Sequence, residues 1–286
     1  MPESYSRRIE HTFQSKGQLC VGIDAHRDLL LENGFDDSVS GLESFSLQLL
    51  DAISETVGIV KPQVAFFERF GSKGLAALER FLVEANSRKL FVIADGKRGD
   101  IGSTMEGYAD AWLSKEAPFI CDAITVNPYL GVAAMQSMIA TAVERNKGLF
   151  ALSATSNKES LTLQSAQVAG TTVSGLVATE VAQFNSVSTT SNGRFGNLGI
   201  VIGATVNLSE FGLQNINQNV ENNRTIVLSP GFGHQGAKLS EAKRIFGNIS
   251  GDVIYTVSRS ALREGLPRAK SVILSDLKEL ELALAS

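Results

Sequence analysis

The chain has 286 residues, room for one large α/β domain or two medium ones with a substantial core. An apolar fraction of 43% and a charged fraction of 20% are ordinary for a soluble globular enzyme, and a net charge of −4 leaves no basic footprint for nucleic acid. Cys20 and Cys121 stand far apart in apolar surroundings and read as free thiols, while the opening MPESYSRRIEHTF lacks the apolar core of a signal peptide and no run has the length of a membrane span, so a cytoplasmic enzyme is expected.

Short apolar runs then follow one another along the chain. They are LCVGID (19–24), VGIVKPQVAFF (57–67), KLFVIADGK (89–97), AITVNPYL (123–130), GLFALSATS (148–156), LGIVIGAT (198–205), TIVLSPGFG (225–233) and DVIYTVSRS (252–260). Between them, LESFSLQLLDAISETV, KGLAALERFLVEANSR, STMEGYADAWLSK, VAAMQSMIATAVERN and GAKLSEAKRIF place apolar residues at helical steps of three and four. Eight such alternations predict a single (β/α)8 barrel over 1–286, with a doubly wound open sheet as the alternative. A barrel collects its chemistry at the C-terminal ends of the strands. Polar residues do fall there: Asp24, Lys61, Asp95 with Lys97, Asn127, Ser156 and Arg259. Residues 157–197, rich in Ser, Thr, Asn and Gln around the helical VSGLVATEVAQF, read as an elongated βα connection, either a lid or a tolerated surface insertion.

The third run ends in FVIADGKRGDIGST (91–104), with two carboxylates and two cations within six positions. Strand alternation puts Asp95 and Lys97 on one side, and Asp100, beyond Gly99, belongs to the loop. An ammonium between two carboxylates keeps both ionised. Taken alone, these fourteen residues read more readily as a solvated loop than as a site. Arg98-Gly99-Asp100 is a chance adhesion tripeptide, GKRG lacks the P-loop spacing, and Ser103 with Glu106 has the form of a capping box. Near the other end of the chain, PGFGHQG leaves room for backbone N–H groups to approach an anion, and Arg259 adds a fork-shaped donor suited to phosphate.

D-G-K-R-G-D-I resembles the D-x-K-x-x-D signature of the orotidine 5′-phosphate decarboxylases. VGID, VKPQVAFFE, NPYLG, ATSN, SPGFGHQG and VSRS fall in that family's order, and the chain is most similar to its longer bacterial subgroup over nearly its whole length. The resemblance implies conversion of orotidine 5′-monophosphate to UMP without cofactor or metal. It assigns Asp95 to crowd the substrate carboxylate and Lys97 to protonate C6. Asp24 and Lys61 become ribose ligands, Ser156 reads the pyrimidine edge, and Gln235 and Arg259 grip the phosphate. It also implies a homodimer in which Asp100 and Thr104 act in the partner's site, with no nucleic acid or membrane as partner. The chain departs from the pattern at His234, where many relatives have alanine, and at Ser258, where the commoner subgroup has glycine.

Three rivals stand beside this reading. Gly231, Gly233 and Gly236 form G-x-G-x-x-G after a predicted strand, as in nicotinamide-nucleotide oxidoreductases, but Asp252 precedes the next strand instead of ending it. A Mg²⁺-dependent sugar-phosphate decarboxylase or aldolase on a related barrel needs a further acidic ligand at a strand end, for which Glu68 is the nearest candidate. A barrel that only binds is the third, and an intact Asp95–Lys97–Asp100 set argues against it.

Overall fold

A strand covered on both faces must bury residues of both parities, and its alternation then sorts them between two cores. The computed structural model, which describes residues 3–187 and 193–286, contains eight parallel strands closed into a barrel. They are β1 (Leu19–Ile23), β2 (Ile59–Pro62), β3 (Phe91–Arg98), β4 (Ala123–Val126), β5 (Gly148–Ala154), β6 (Leu198–Ile202), β7 (Val227–Pro230) and β8 (Val253–Val257). Neighbours in the barrel are neighbours in the chain, and β8 closes on β1 with Leu19 opposite Tyr255. The barrel expected from the sequence is therefore present, and the open sheet is not.

One parity of each strand fills the barrel: Cys20, Ile59, Ile93, Phe150, Leu228 and Ile254 share an inner cluster. The other parity, including Val21, Val60, Val92, Leu149 and Val227, packs outward against the helices. Helix Tyr5–Lys16 supplies Tyr5 and Ile9 to the inner cluster, with Phe13 packed beside them, and so stops the N-terminal end with apolar side chains. Two residues further along the same inward lines the character changes. Ile59 is followed by Lys61 and Gln63, Ile93 by Asp95, Ala123 by Thr125, and Ile254 by Thr256 and Ser258. The barrel is thus apolar below and polar at its C-terminal mouth.

Several elements differ from the sequence reading. The run VGIVKPQVAFF does not continue as a strand beyond Pro62; Val64–Glu68 is a short helix, with Val64 and Phe67 buried at a step of three. The strand in AITVNPYL stops at Val126, because Asn127 caps the tight turn Pro128–Leu130 through its side chain. Ser103 does not cap its helix. The helix is Gly102–Trp112, its cap position is Ile101, and no side chain bonds there, so Ser103 already lies within the first turn. GAKLSEAKRIF forms a 3-10 turn, Leu239–Glu241, and a short helix, Ala242–Phe246, instead of one helix. Helices Tyr5–Lys16 and Ala269–Ala285 were not anticipated.

Within the long connection after β5, a short helix (Ser160–Gln164) leads to a two-residue antiparallel hairpin, Gln167–Val168 with Thr171–Thr172, and then to helix Val173–Val187. The hairpin turn has positive φ at both central residues, Ala169 and Gly170, the geometry that matches strand twist. Residues 188–192 of this connection lie outside the described residues. No helix among the described residues is long and apolar enough to cross a membrane.

Candidate active site

A cleft of about 270 Å³ opens at the C-terminal mouth of the barrel. Its charged side consists of side chains from three adjacent strands. Asp95 on β3 lies between two ammoniums: Lys61 Nζ donates to Oδ2 at 2.7 Å and Lys97 Nζ to Oδ1 at 2.6 Å. Thr125 on β4 donates its hydroxyl to Oδ1 at 2.8 Å and accepts the Lys97 backbone N–H at 2.9 Å. Gln63, just past β2, turns its amide nitrogen to Asp95, 2.9 Å from Oδ2 and 2.9 Å from the backbone carbonyl. The opposite wall is apolar, with Leu152, Val201, Leu228 and Pro230.

Lys97 reaches this position through an irregularity in the strand. The β3–β4 register breaks between Ala94 and Arg98, and Lys97 has φ +47. A left-handed conformation at a residue with a Cβ costs on the order of 1–2 kcal/mol. It persists where its surroundings hold it and is found preferentially at functional sites.

Burial works against ionisation of Asp95, but Lys61 and Lys97 outweigh it and hold the carboxyl well below the usual carboxylate range. Lys61 is itself buried, which opposes its charge. The Asp95 and Asp24 carboxylates more than compensate, and its ammonium is held above the usual lysine range. Within one chain the array is therefore Lys61–Asp95–Lys97. The carboxylate–ammonium–carboxylate order expected from the sequence is not formed, because Asp100 Oδ1 accepts the N–H of Ile101 at 2.9 Å and the residue lies outside the cleft.

The remaining expected residues divide in the same way. Asp24, just beyond β1, lines the cleft, and its Oδ1 is buried with no hydrogen-bond partner among the described residues, leaving an acceptor for an incoming hydroxyl. Ser156 donates to Gln235 Oε1 at 2.8 Å, joining the end of β5 to the loop after β7. That loop is pinned by Phe232, buried and bridged to Ala237, and turns on Gly231, Gly233 and Gly236, all with positive φ. His234 lies exposed at the loop's tip, facing the cleft. Arg259 opens the 3-10 turn after β8, is exposed, and has no carboxylate partner among the described residues. Ser258 fits without left-handed backbone, at φ −133, and its hydroxyl occupies space left by Gly22, where a Cβ would stand 2.1 Å away. Thr104 is exposed on its helix and, like Asn127, does not line the cleft.

Gln63 and Thr125 were not singled out from the sequence. Both could have been found by extending the inward alternation, Gln63 two residues after Lys61 and Thr125 two after Ala123. The features behind the rival readings also have other partners. Glu68 is tied to Arg98 outside the cleft, and Asp252 sits fully buried at the opposite end of β8 between Arg194 and Arg224.

Residues 17–271 match the family described as "Orotidine 5'-phosphate decarboxylase / HUMPS family". The chain is 40% identical over 263 residues to the orotidine 5′-phosphate decarboxylase of a Nocardioides species, covering 91% of this chain and 92% of the relative. It is 41% identical over 265 residues to that of Streptomyces coelicolor, covering 92% and 91%. Among solved structures it is similar to a Streptomyces avermitilis chain assigned to the same decarboxylase, with TM-score 0.90, 36% identity and coverage of 100% and 97%. It is also similar to the Leishmania donovani OMP decarboxylase, with TM-score 0.79, 25% identity and coverage of 99% and 100%.

The array has a measurable consequence for stability. Asp95→Asn strands the buried Lys61 ammonium and should cost about 3 kcal/mol in chemical denaturation of the ligand-free protein. The Asp95 carboxyl is depressed on folding, so its contribution is complete above the unfolded-state value of about 3.9 and is lost as the pH falls through the folded value. The gap between wild type and Asp95→Asn should therefore be constant from about pH 5 to 7 and shrink below about pH 4. A gap that widens on acidification would contradict this arrangement.

Proposed function

The chain belongs to the orotidine 5′-phosphate decarboxylase / HUMPS family, and from that premise we propose how its side chains convert orotidine 5′-monophosphate to UMP and carbon dioxide. The observation that carries the reading is a carboxylate kept ionised between two ammoniums in a cleft that also holds a glycine-rich loop and an arginine with no carboxylate partner among the described residues. Arg259 and the 231–236 loop take the phosphate, with Gln235 beside it. Asp24 and Lys61 hold the ribose hydroxyls, and Ser156 meets the pyrimidine edge. The C6 carboxylate then lies against Asp95.

Two negative charges at that point raise the energy of the bound substrate, by an amount in the range of about 1–5 kcal/mol usual for such strain. A very slow uncatalysed reaction demands a barrier reduction on the order of 20 kcal/mol, so most of it must be gained in the transition state. The C6–carboxylate bond breaks and its electron pair stays on C6. Lys97 faces that developing charge with a full cation in a partly apolar cleft, where low dielectric strengthens the attraction. Lys97 then transfers a proton from Nζ to C6, and water restores its own. Binding energy at the distant phosphate holds the pyrimidine against the repulsion from Asp95. The side chains supply both the cation and the proton, so the scheme calls on no cofactor or metal. A cytoplasmic location accords with a soluble nucleotide substrate.

We read the working form as a homodimer. Asp100 and Thr104 do not line their own cleft, and exposed Ile101, Tyr129 and Leu130 offer apolar surface in the adjoining segments. Asp100 and Thr104 would then complete the partner's site, Asp100 beside its Lys97 and Thr104 at its ribose.

Two experiments test these assignments. Lys97→Ala should reduce kcat by about 10⁴-fold in the ultraviolet assay of orotidylate loss, since it removes both proton donor and cation, while wild type keeps its rate in chelator; a freely active Lys97→Ala would overturn the scheme. Mixing inactive Lys97→Ala and Asp100→Asn chains should regain about a quarter of wild-type activity, because half the dimers are mixed and each holds one intact site. No recovery after subunit exchange would return Asp100 to its own chain.

A further inference from the structure

We infer that Arg98 is a positioning residue for Lys97, an inference that rests on the decarboxylase reading above. Lys97 points into the cleft and its neighbour Arg98 points out of it. The Arg98 guanidinium is ion-paired with Glu68, at the end of the helix after β2, and lines no part of the cleft. The same guanidinium lies 5.7 Å from the ring centre of Tyr108 and 5.9 Å from that of Trp112, both on helix Gly102–Trp112. Its Nε is buried with no hydrogen-bond partner among the described residues, so protein groups rather than water surround that part of the side chain.

The position of this clamp in the backbone makes it relevant to the chemistry. The β3–β4 ladder is regular as far as Ala94, breaks, and resumes where Asn127 N–H donates to the Arg98 carbonyl at 2.7 Å. Lys97 sits inside the break at φ +47. A bulge of this kind re-aims one side chain, and relaxation to a regular strand shifts its neighbours toward the other face. Two contacts oppose that relaxation. Thr125 holds the Lys97 N–H from the cleft side, and Glu68 holds the next residue, Arg98, from the outside. Arginine suits the outer position because one planar group can pair with a carboxylate while remaining close to aromatic rings. The clamp also ties together the segments that deliver the array, since Glu68 follows the strand of Lys61 and Trp112 lies on the helix that begins just after Asp100.

The test compares Arg98→Met and Glu68→Gln with wild type and Lys97→Ala under steady-state conditions. Each clamp variant should lose about 10- to 100-fold in kcat, the scale of a small misplacement of a catalytic group. The KM for orotidylate and the affinity for UMP should stay within about twofold, because the phosphate and ribose contacts are untouched. Arg98→Lys should recover part of the loss, and emission from Trp112, the chain's single tryptophan, should change in Arg98→Met. A folded Arg98→Met with wild-type kcat overturns the inference, as does a loss that appears only in KM. If Arg98→Met fails to fold, Glu68→Gln decides by the same criterion. Lys97→Ala separates the two levels: if it turns over freely the decarboxylase scheme fails, and if it is inactive while the clamp variants are normal, only the role of Arg98 fails.

Discussion

A carboxylate that keeps only 11% of its side-chain exposure is the constraint on which the rest of the site depends. Asp95 can remain charged there only because two ammoniums and two neutral donors surround it, and burying it without them would cost several kcal/mol or neutralise it. Its partners come from β2, β3 and β4, so barrel closure and strand register must be right before the charges can meet. The apolar lower barrel, stopped by helix Tyr5–Lys16, supplies that rigidity. Folding thus assembles a charge arrangement that no single segment of the chain could hold.

The other half of the site is built on the opposite principle. Residues 233–236 of the loop after β7 and Arg259 after β8 are exposed, and Arg259 has no carboxylate partner among the described residues. Exposed cationic and backbone donors can exchange water for an anion at little cost, whereas Lys61 and Asp95 are largely withdrawn from water and hold each other in place. Ser156 and Gln235 join the end of β5 to the loop after β7 by a hydrogen bond. In the proposed scheme a substrate anchored at the phosphate end is held against a group that repels its carboxylate. Rigid charge at one end and recruitable charge at the other is the division of labour on which the proposed catalysis rests.

How much of this was legible in the sequence followed from the period of two. Asp95 with Lys97, and Lys61 on the preceding strand, stood out because charged residues continued inward lines that were otherwise apolar. Gln63 did not, since the apolar VAFF after it extended the apparent strand, although the structure gives those residues helical burial. Thr125 was hidden because threonine is an ordinary strand residue, and only its neighbours reveal the hydroxyl's role. Asn127 marked a strand end correctly but serves as a cap. Arg98 read as one more solvated cation because its partners Glu68, Tyr108 and Trp112 come from other elements. Asp100 and Thr104 lie outside their own cleft, a position that sequence spacing alone could not reveal.

Asp95 is ionised at working pH because Lys61 and Lys97 hold it so. The most direct measurement is a carbon-13 carboxyl titration of the ligand-free protein, with the Asp95 resonance assigned by its absence in Asp95→Asn. An ionised signal unchanged from about pH 8 down to about pH 3 is predicted, an interval over which an ordinary aspartate, with a pKa of about 3.9, would become mostly protonated. An Asp95 resonance that titrates within that interval would contradict the account, because the carboxylate proposed to press on the substrate would then be protonated for part of the working range.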